Sequence, residues 1–275
     1  MTALPWPAFG TNLALAAAAA SAVMLGAFAA AVAKGTHRVV DVAWGPAFTM
    51  VALVTYAVSG GDGDDGRRLL VTVATAVWGT RLAVHIAWRS RGTGEDPRYE
   101  RMLAKSPGSR NLYALRMVYL LQAALVWLVS LPVQAAQYVP VPLGPAAVAG
   151  GVLWAAGVCF EAVGDFQLAR FKADPANRGR IMDRGLWSWT RHPNYFGDFL
   201  VWWGLFAMAC ATWQAVAVSV VSPLVMSFLL TRGSGKRLLE SHMADRLGYT
   251  EYTARTSGFF PLPPRRAPQE EAGRR

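Results

Sequence analysis

The sequence predicts an all-α integral membrane protein: one domain, residues 1–264, with about seven transmembrane helices in a bundle. Two observations support this prediction. Hydrophobic residues make up 53% of the 275 residues and charged residues only 16%, whereas a soluble globular domain carries about 25% charged residues. Three long stretches, 1–33, 117–160 and 199–231, carry no charge at all. A helix needs only about 20 apolar residues to cross the hydrocarbon core of a bilayer.

Each predicted helix is an apolar run that ends where charges or turn residues interrupt it. The first run lacks the basic start of a signal peptide and is too long for the apolar part of one, so we expect it to be retained. Pro223 should kink the last helix, because proline cannot donate the backbone hydrogen bond. The predicted spans are 12–33, 39–59, 69–89, 113–133, 146–170, 197–212 and 214–230.

The loops between these helices differ in charge, and this difference predicts their orientation. Loop 89–116 has seven Lys and Arg residues, loop 170–192 has six, and the chain after residue 231 has nine. Loop 60–68 is net acidic, and loop 134–145 is uncharged. Because basic loops stay in the cytoplasm, the N-terminus is predicted outside and the C-terminus in the cytoplasm. Topology thus accounts for the net charge of +10, and we expect no nucleic-acid partner.

Composition also predicts the surroundings of the protein. The many Ala, Arg and Gly residues are typical of a bacterium with high genomic GC content, so we expect a multi-pass protein of the plasma (inner) membrane. The segment from Arg265 onward, RRAPQEEAGRR, is polar and contains proline, and we predict that it is disordered. No sequence feature indicates an oligomeric state.

Two features resemble ligand sites but lack the context that such sites need. Residues 61–66 read G-D-G-D-D-G, which matches the spacing of a dinucleotide-binding fingerprint. That fingerprint needs a strand before the glycines and a helix after them, and three Asp side chains would repel a phosphate. Cys159 and Cys210 lie inside apolar runs and are assigned to packing. No metal site is predicted.

The fifth predicted helix carries two acids where a membrane helix normally has none. Glu161 and Asp165 lie four residues apart and therefore on one helix face. Acids within the membrane are costly, so they usually face the bundle interior and bind cations or ligand groups. Arg170 and Lys172 follow at the end predicted to be cytoplasmic. The helix therefore predicts a polar binding site.

Residues 191–195 read R-H-P-N-Y and precede the sixth predicted helix. Pro193 suits the first turn of a helix, because its missing N–H would have had no partner there. The free N–H groups of a helix start, beside Arg191 and His192, would attract an anion. One turn later, Asp198 can accept a hydrogen bond from a ribose hydroxyl or an amide. The alternative is that the two basic residues only anchor the helix at the membrane interface.

The stretch GLWSWTRHPNYFGDFLVWWG (185–204) resembles the C-terminal signature of the steroid 5α-reductase superfamily, and the chain as a whole is similar to its bacterial DUF1295 branch. The similarity includes FEAVGDFQ (160–167) and LGYTEYTARTSGFFPLPP (247–264), and more faintly DVAWG (41–45) and GEDPRY (94–99). In that superfamily NADPH lies inside a seven-helix bundle, and hydride passes to a carbon–carbon double bond conjugated to a carbonyl. The resemblance implies an NADPH-dependent reductase acting on an apolar lipid or steroid-like substrate.

The resemblance also implies individual cofactor contacts. Those in the second half are Asp165, Arg170, Arg191, Asn194, Tyr195 and Asp198, and those in the C-terminal segment are Arg237, His242, Tyr249 and Tyr252. Arg98 and Tyr99 in the 94–99 loop would cap the cofactor. The chemistry of the residues themselves adds Glu161, Lys172 and His192. The steroid enzymes carry an acid three residues after the position of Asp198, where this chain has Val201, so the resemblance does not extend to specificity for steroids.

A second enzyme class shares part of this pattern. The motif R-H-P-x-Y-x-G also occurs in membrane methyltransferases that use S-adenosylmethionine to modify phospholipid amines or isoprenylcysteine. Both cofactors present adenosine and polar groups to the same kind of basic helix start, so the motif alone does not separate them. Chain length and the helix with Glu161 and Asp165 favour the reductase. The complete polar set argues against a third class, a non-catalytic protein with a relic of the pocket.

Reduction of an enone also needs an acid near the developing enolate oxygen. Asp41 opens the second predicted helix, and Arg81 and His85 lie four residues apart on the third. Arg81 is about 12 Å from Arg89 along the helix, and a charge at that depth needs a partner or a function. We predict a catalytic cluster of Asp41, Arg81 and His85, with His85 or a tyrosine such as Tyr56 as the acid. Alternatively, Asp41 and Arg81 only hold two helices together.

Overall fold

The computed structural model describes residues 4–233, 240 and 243–265. Within these residues the chain is almost entirely helical, without β-strands, and a single parallel bridge joins Thr190 to Ser257. The predicted all-α class is confirmed. The helices are α1 (Trp6–Lys34), α2 (Val39–Val58), α3 (Asp65–Arg89), α4 (Pro97–Leu103), α5 (Arg110–Val129), α6 (Leu131–Ala136), α7 (Pro145–Ala173), α8 (Leu186–Trp189), α9 (Pro193–Ala209), α10 (Trp213–Thr231) and α11 (Tyr249–Arg255).

Six helices in the described part of the chain are long and apolar enough to cross a membrane, namely α1, α2, α3, α5, α7 and α10. The protein is therefore an integral membrane protein, as predicted. The predicted number was about seven, and the helix that falls short is α9. Its 17 residues extend about 26 Å, less than the ~30 Å of the hydrocarbon core.

Prolines account for two of the differences between the predicted and observed helix ends. The predicted span 113–133 ends at Val129, because Pro132 has no N–H to continue the helix, and α6 begins instead. In α10 the helix is interrupted at Val220, because Pro223 has no N–H to donate to the Ser219 carbonyl four residues earlier. The predicted disturbance by Pro223 is confirmed.

The α6 region differs from the sequence prediction in a second way. Residues 134–139 were expected to begin an uncharged loop, but all of them are buried. Gln134 donates to the Ser130 hydroxyl at 2.8 Å and to the Trp127 carbonyl at 3.1 Å, and Gln137 donates to a backbone carbonyl of α2 at 3.2 Å. These hydrogen bonds replace those to water for both amide nitrogens, whereas Gln137 Oε1 is buried without a hydrogen-bond partner among the described residues.

The chain forms two compact units. The first comprises residues 1–151 and 205–223, and the second comprises residues 152–204 and 224–275. The boundaries between the units fall within α7, α9 and α10. The part of the chain predicted as a single domain therefore contains two compact units, each made of two chain segments. Residues 266–275, most of the segment predicted to be disordered, lie outside the described residues.

The first unit is built around α2, which packs against α1 and α3. The backbones of α2 and α3 touch where two glycines meet, since a Cβ on Gly45 would lie 1.9 Å from the Gly79 carbonyl oxygen. Beside this contact the rings of Phe48 and Trp78 meet edge to face, with centroids 5.5 Å apart. Small residues that allow close backbone contact are typical of helix pairs in membranes. This contact fixes the antiparallel register of α2 and α3.

The second unit repeats this packing with α7 and α9. A Cβ on Gly197 would lie 2.6 Å from the Gly157 carbonyl oxygen, and one on Gly164 would lie 3.2 Å from Pro193 Cγ. The two helices are therefore antiparallel and in backbone contact along the first turns of α9. This arrangement brings the acidic part of α7 beside the start of α9.

Candidate functional site

The start of α9 brings two adjacent basic side chains to one carboxylate. Pro193 is the first residue of the helix, and the His192 carbonyl accepts a hydrogen bond from Phe196 N at 3.0 Å. Glu240 Oε1 lies 3.0 Å from Arg191 Nε and 3.1 Å from His192 Nε2. The prediction that Pro193 opens a helix directly after Arg191 and His192 is confirmed.

The C-terminal segment folds back onto the chain that precedes α9. The backbone N of Arg191 donates to the Ser257 carbonyl at 2.9 Å, and its Nη1 donates to the Thr253 carbonyl at 3.3 Å. The Tyr252 hydroxyl donates to the Trp187 carbonyl at 2.7 Å. Burial raises the pKa of the Tyr252 phenol, although Arg191 opposes the shift, so the phenol stays protonated as a donor. These bonds hold the residues before α9 in place.

The two acids of α7 face the start of α9. Glu161 and Asp165 are both buried. Asn194 Nδ2 donates to Asp165 Oδ1 at 3.3 Å, and a Cβ on Gly197 would lie 2.7 Å from Glu161 Cγ. The shared face predicted for the acids is therefore the face that packs on α9. The structure brings these carboxylates, an amide and the two basic residues into one region of the second unit.

Two further predicted residues lie on the first turns of α9. The Tyr195 ring stacks on the His192 ring, with centroids 5.5 Å apart and planes 9° apart. Asn194 Oδ1 accepts from Tyr195 N at 3.0 Å. Asp198 follows one turn after Asn194 and is partly buried. The polar residues predicted along R-H-P-N-Y-F-G-D thus surround one helix start.

The two basic residues of α7 lie at the same end of the α7–α9 pair. Arg170 and Lys172 are exposed in the last turn of α7. They follow Gln167, whose Oε1 accepts from Leu186 N at 3.0 Å, so this end of α7 lies beside the chain that leads into α9. Cations in the last turn also stabilise a helix through its dipole. Their placement is therefore consistent with ligand binding without requiring it.

The C-terminal segment contributes a residue that the sequence analysis did not single out. Glu240, which holds Arg191 and His192, was missed because His192 lies 48 residues earlier in the chain. Tyr249 is buried on α11, with its ring centroid 6.3 Å from that of Tyr252. The remaining predicted residues of this segment, Arg237 and His242, lie outside the described residues.

In the first unit, Asp41 is bound by the two residues that were expected to cap a cofactor. Arg98 Nη2 donates to Asp41 Oδ2 at 2.7 Å, and the Tyr99 hydroxyl donates to Asp41 Oδ1 at 2.6 Å. The hydrogen bond of Arg98 to Asp96 raises the pKa of Arg98. Burial, and then the Asp41 carboxylate, raise the pKa of Tyr99, so its phenol stays protonated. The segments DVAWG and GEDPRY therefore contact each other.

A neighbouring acid of the same loop caps α2. The Glu95 carboxylate accepts from His37 N at 2.6 Å, from Arg38 N at 2.9 Å and from the Thr36 hydroxyl at 3.2 Å. The helix begins at Val39, so these N–H groups belong to the helix start, where backbone donors lack intrahelical partners. Glu95 was not predicted to have a role, because its partners lie about 58 residues earlier in the chain.

The other residues proposed for catalysis lie at two different ends of the α2–α3 pair. In the antiparallel register of these helices, Arg81 and His85 lie at the same end as Asp41. Tyr56 lies 15 residues after Asp41, which is about 22 Å along α2. The Arg68 guanidinium covers the Tyr56 ring at 4.7 Å. The structure thus groups Asp41, Arg81 and His85 at one end and separates Tyr56 from them.

Comparison with known proteins identifies the family but no individual relative. No curated protein and no solved structure matches the chain. A family model with the description "Protein of unknown function (DUF1295)" matches residues 27–256, most of the 275 residues. The matched range includes Asp41 and its partners in the first unit and the start of α9 in the second. The chain therefore belongs to the DUF1295 family.

Proposed function

We propose that this protein is a membrane-embedded, NADPH-dependent reductase that transfers hydride to a carbon–carbon double bond of an apolar lipid or steroid-like substrate. Residues 185–204 support the proposal through their resemblance to the steroid 5α-reductase superfamily. The observation that carries it is the set of contacts made by the three nitrogens of Arg191. Glu240 holds its Nε and the Thr253 carbonyl holds its Nη1, while Nη2 has no partner among the described residues. A fixed guanidinium with an available N–H group suits a phosphate oxygen.

The side chains of the second unit suit the parts of a dinucleotide phosphate. Cations at a helix start bind phosphate, and carboxylates and amides bind ribose hydroxyls and a carboxamide. Phosphates would be bound by Arg170, Lys172, Arg191 and His192, and the hydroxyls and carboxamide by Glu161, Asp165, Asn194, Tyr195 and Asp198. By resemblance alone, the proposed contacts also include Arg98, Tyr99, Arg237, His242, Tyr249 and Tyr252.

When bound, NADPH would supply the hydride, and the chain would supply orientation and a proton. Asp41, Arg81 and His85 would form the catalytic cluster, and His85 or Tyr56 would donate the proton. The apolar substrate would enter from the lipid of a bacterial plasma membrane, where its concentration is highest.

Ligand-dependent thermal unfolding of the detergent-purified protein tests the proposal. Wild type and Arg191→Ala are each titrated with NADPH and with S-adenosylmethionine. A ligand that binds only the folded state at a hundredfold excess over its Kd adds about 2.7 kcal/mol of stability. Arg246→Ala is the matched control, since it removes an exposed arginine from the same unit.

NADPH should raise the unfolding temperature of wild type and of Arg246→Ala but not of Arg191→Ala. Stabilisation by S-adenosylmethionine instead would change the reaction class to methyl transfer, onto a phospholipid amine or a prenylated thiol. If neither ligand stabilises the protein, the remaining class of the three is the non-catalytic membrane protein with a relic of the pocket.

A further inference from the structure

A single carboxylate oxygen holds both basic residues at the start of α9. Glu240 Oε1 lies 3.0 Å from Arg191 Nε and 3.1 Å from His192 Nε2. The side chains are 24%, 15% and 7% exposed respectively, so water screens these contacts only in part. We infer that Glu240 is a positioning residue for anion recognition, which orients Arg191 and His192 toward the phosphates of the cofactor. The identity of that anion as NADPH rests on the proposed function.

The guanidinium of Arg191 is oriented through two of its three nitrogens. Nη1 donates to the Thr253 carbonyl at 3.3 Å, at the long end of the hydrogen-bond range, and Nε is paired with Glu240 at 3.0 Å. Of these two partners, Glu240 is charged and lies closer to the guanidinium than the Thr253 carbonyl does. Its removal would leave one long hydrogen bond, from Nη1, as the polar contact that orients the guanidinium. The direction of Nη2 therefore depends chiefly on Glu240.

The imidazole of His192 is constrained in the same way. Its ring stacks on Tyr195, and Nε2 points to Glu240, which leaves Nδ1 without a partner in the described residues. A histidine ring can turn about its terminal torsion, and the hydrogen bond of one nitrogen decides what the other presents. Glu240 thus selects the ring nitrogen that is available to a ligand.

Charge and orientation predict opposite effects for the loss of this carboxylate. Without its negative charge the site would attract anions more strongly. Without the ion pair to Arg191 and the hydrogen bond to His192, however, the two basic side chains would have to be ordered again when the ligand binds, and that ordering weakens binding. We expect orientation to dominate, because among the described residues Arg191 has one other polar side-chain contact, to Thr253, and His192 has its stacking on Tyr195. Loss of comparable supporting contacts in metal sites weakens binding by about 10- to 100-fold, and about tenfold is expected here.

The test measures dissociation constants of the full-length protein for NADPH and for inorganic pyrophosphate, by thermal-shift titration in detergent. Glu240→Gln keeps the shape of the side chain and removes its charge, and Glu240→Asp keeps the charge and shortens the side chain. Glu251→Gln, an exposed acid on α11, is the control for loss of charge from the same segment. The unfolding temperature without ligand shows whether each variant is folded.

We expect Glu240→Gln to bind both anions about tenfold more weakly, Glu240→Asp to recover part of the affinity, and Glu251→Gln to match wild type. In turnover, KM for NADPH should rise while kcat changes little. Equal or tighter binding of both anions by Glu240→Gln overturns the inference, even if NADPH binds wild type. If wild type binds pyrophosphate but not NADPH, and Glu240→Gln loses the pyrophosphate affinity, the inference stands and the proposed function fails. If wild type binds neither anion, both fail.

Discussion

Glu95 offers a direct test of how a loop acid stabilises a distant helix. Its two oxygens accept from Thr36, His37 and Arg38, so Glu95→Gln replaces one acceptor with an N–H group that faces other donors. A buried donor left without an acceptor costs about 1–3 kcal/mol, and we expect the free energy of unfolding to fall by that amount. Chemical unfolding in detergent measures it. Glu100→Gln, which changes an exposed acid on α4, should lose much less, and equal losses would contradict the capping role.

His85 is the residue for which catalysis and structure can be separated most clearly. It lies on α3 with its ring 6.4 Å from that of Trp88, at the end of the helix pair that also holds Asp41 and Arg81. If His85 supplies the proton, His85→Ala should abolish NADPH oxidation with an enone substrate and leave the Kd for NADPH unchanged. Thr80→Ala, an exposed position on the same helix, is the control. An unchanged rate in His85→Ala would remove it from the mechanism.

Local sequence could predict part of the site, because some contacts follow from helix periodicity. Glu161 and Asp165 share a face by their spacing, and the structure confirms that this face packs on α9. Glu95 and Glu240 could not be predicted, because their partners are about 58 and 48 residues away. Such contacts depend on how loops return to the helices, which helix periodicity does not determine. The same holds for Tyr99, whose partner Asp41 lies on another helix.

The glycine contact between α2 and α3 makes a prediction about a helix pair. A Cβ on Gly45 would lie 1.9 Å from the Gly79 carbonyl oxygen, so Gly45→Ala forces the two backbones apart. Overpacking of this kind costs typically about 1–3 kcal/mol, and the unfolding temperature should fall. Gly26→Ala in α1 has open space around the new methyl group and gains up to about 1 kcal/mol of helix propensity. A Gly45→Ala variant as stable as Gly26→Ala would show that the helices are not in backbone contact.

Helix positions could be predicted where apolar runs end in charges, and less well where proline decides. The charged borders place the ends of α2 and α3 within a few residues of the predicted spans 39–59 and 69–89. The ends at Val129 and at Val220 are set by prolines inside uncharged stretches, where hydropathy gives no border. Hydropathy also does not distinguish a lipid-facing segment from a buried one, which is why the burial of α6 was missed.

The distribution of charge over the molecule is more uneven than the sequence shows. Arg67 and Arg68 follow the loop between α2 and α3, yet both are buried. Arg67 donates to the Val141 and Pro142 carbonyls at 3.1 and 3.0 Å, and Arg68 pairs with Asp65 at 2.5 Å. Both guanidinium groups therefore contact other groups of the protein instead of solvent. The exposed charges of this loop are acidic. That loop becomes a stronger candidate for the external side than a count of its residues suggests.

Cysteine labelling of intact cells tests this orientation. In a variant with Cys159 and Cys210 changed to Ala, Gly60→Cys places one thiol after α2, and Ala104→Cys places one between α3 and α5. Both positions are exposed, and neither substitution changes a charge. Because α3 crosses the membrane between them, the two thiols must lie on opposite sides. The positive-inside rule predicts that a membrane-impermeant maleimide labels Gly60→Cys in intact cells and Ala104→Cys only after permeabilisation. The reverse pattern would place the acidic loop in the cytoplasm and the basic segments, with the start of α9 among them, on the side without cytoplasmic NADPH.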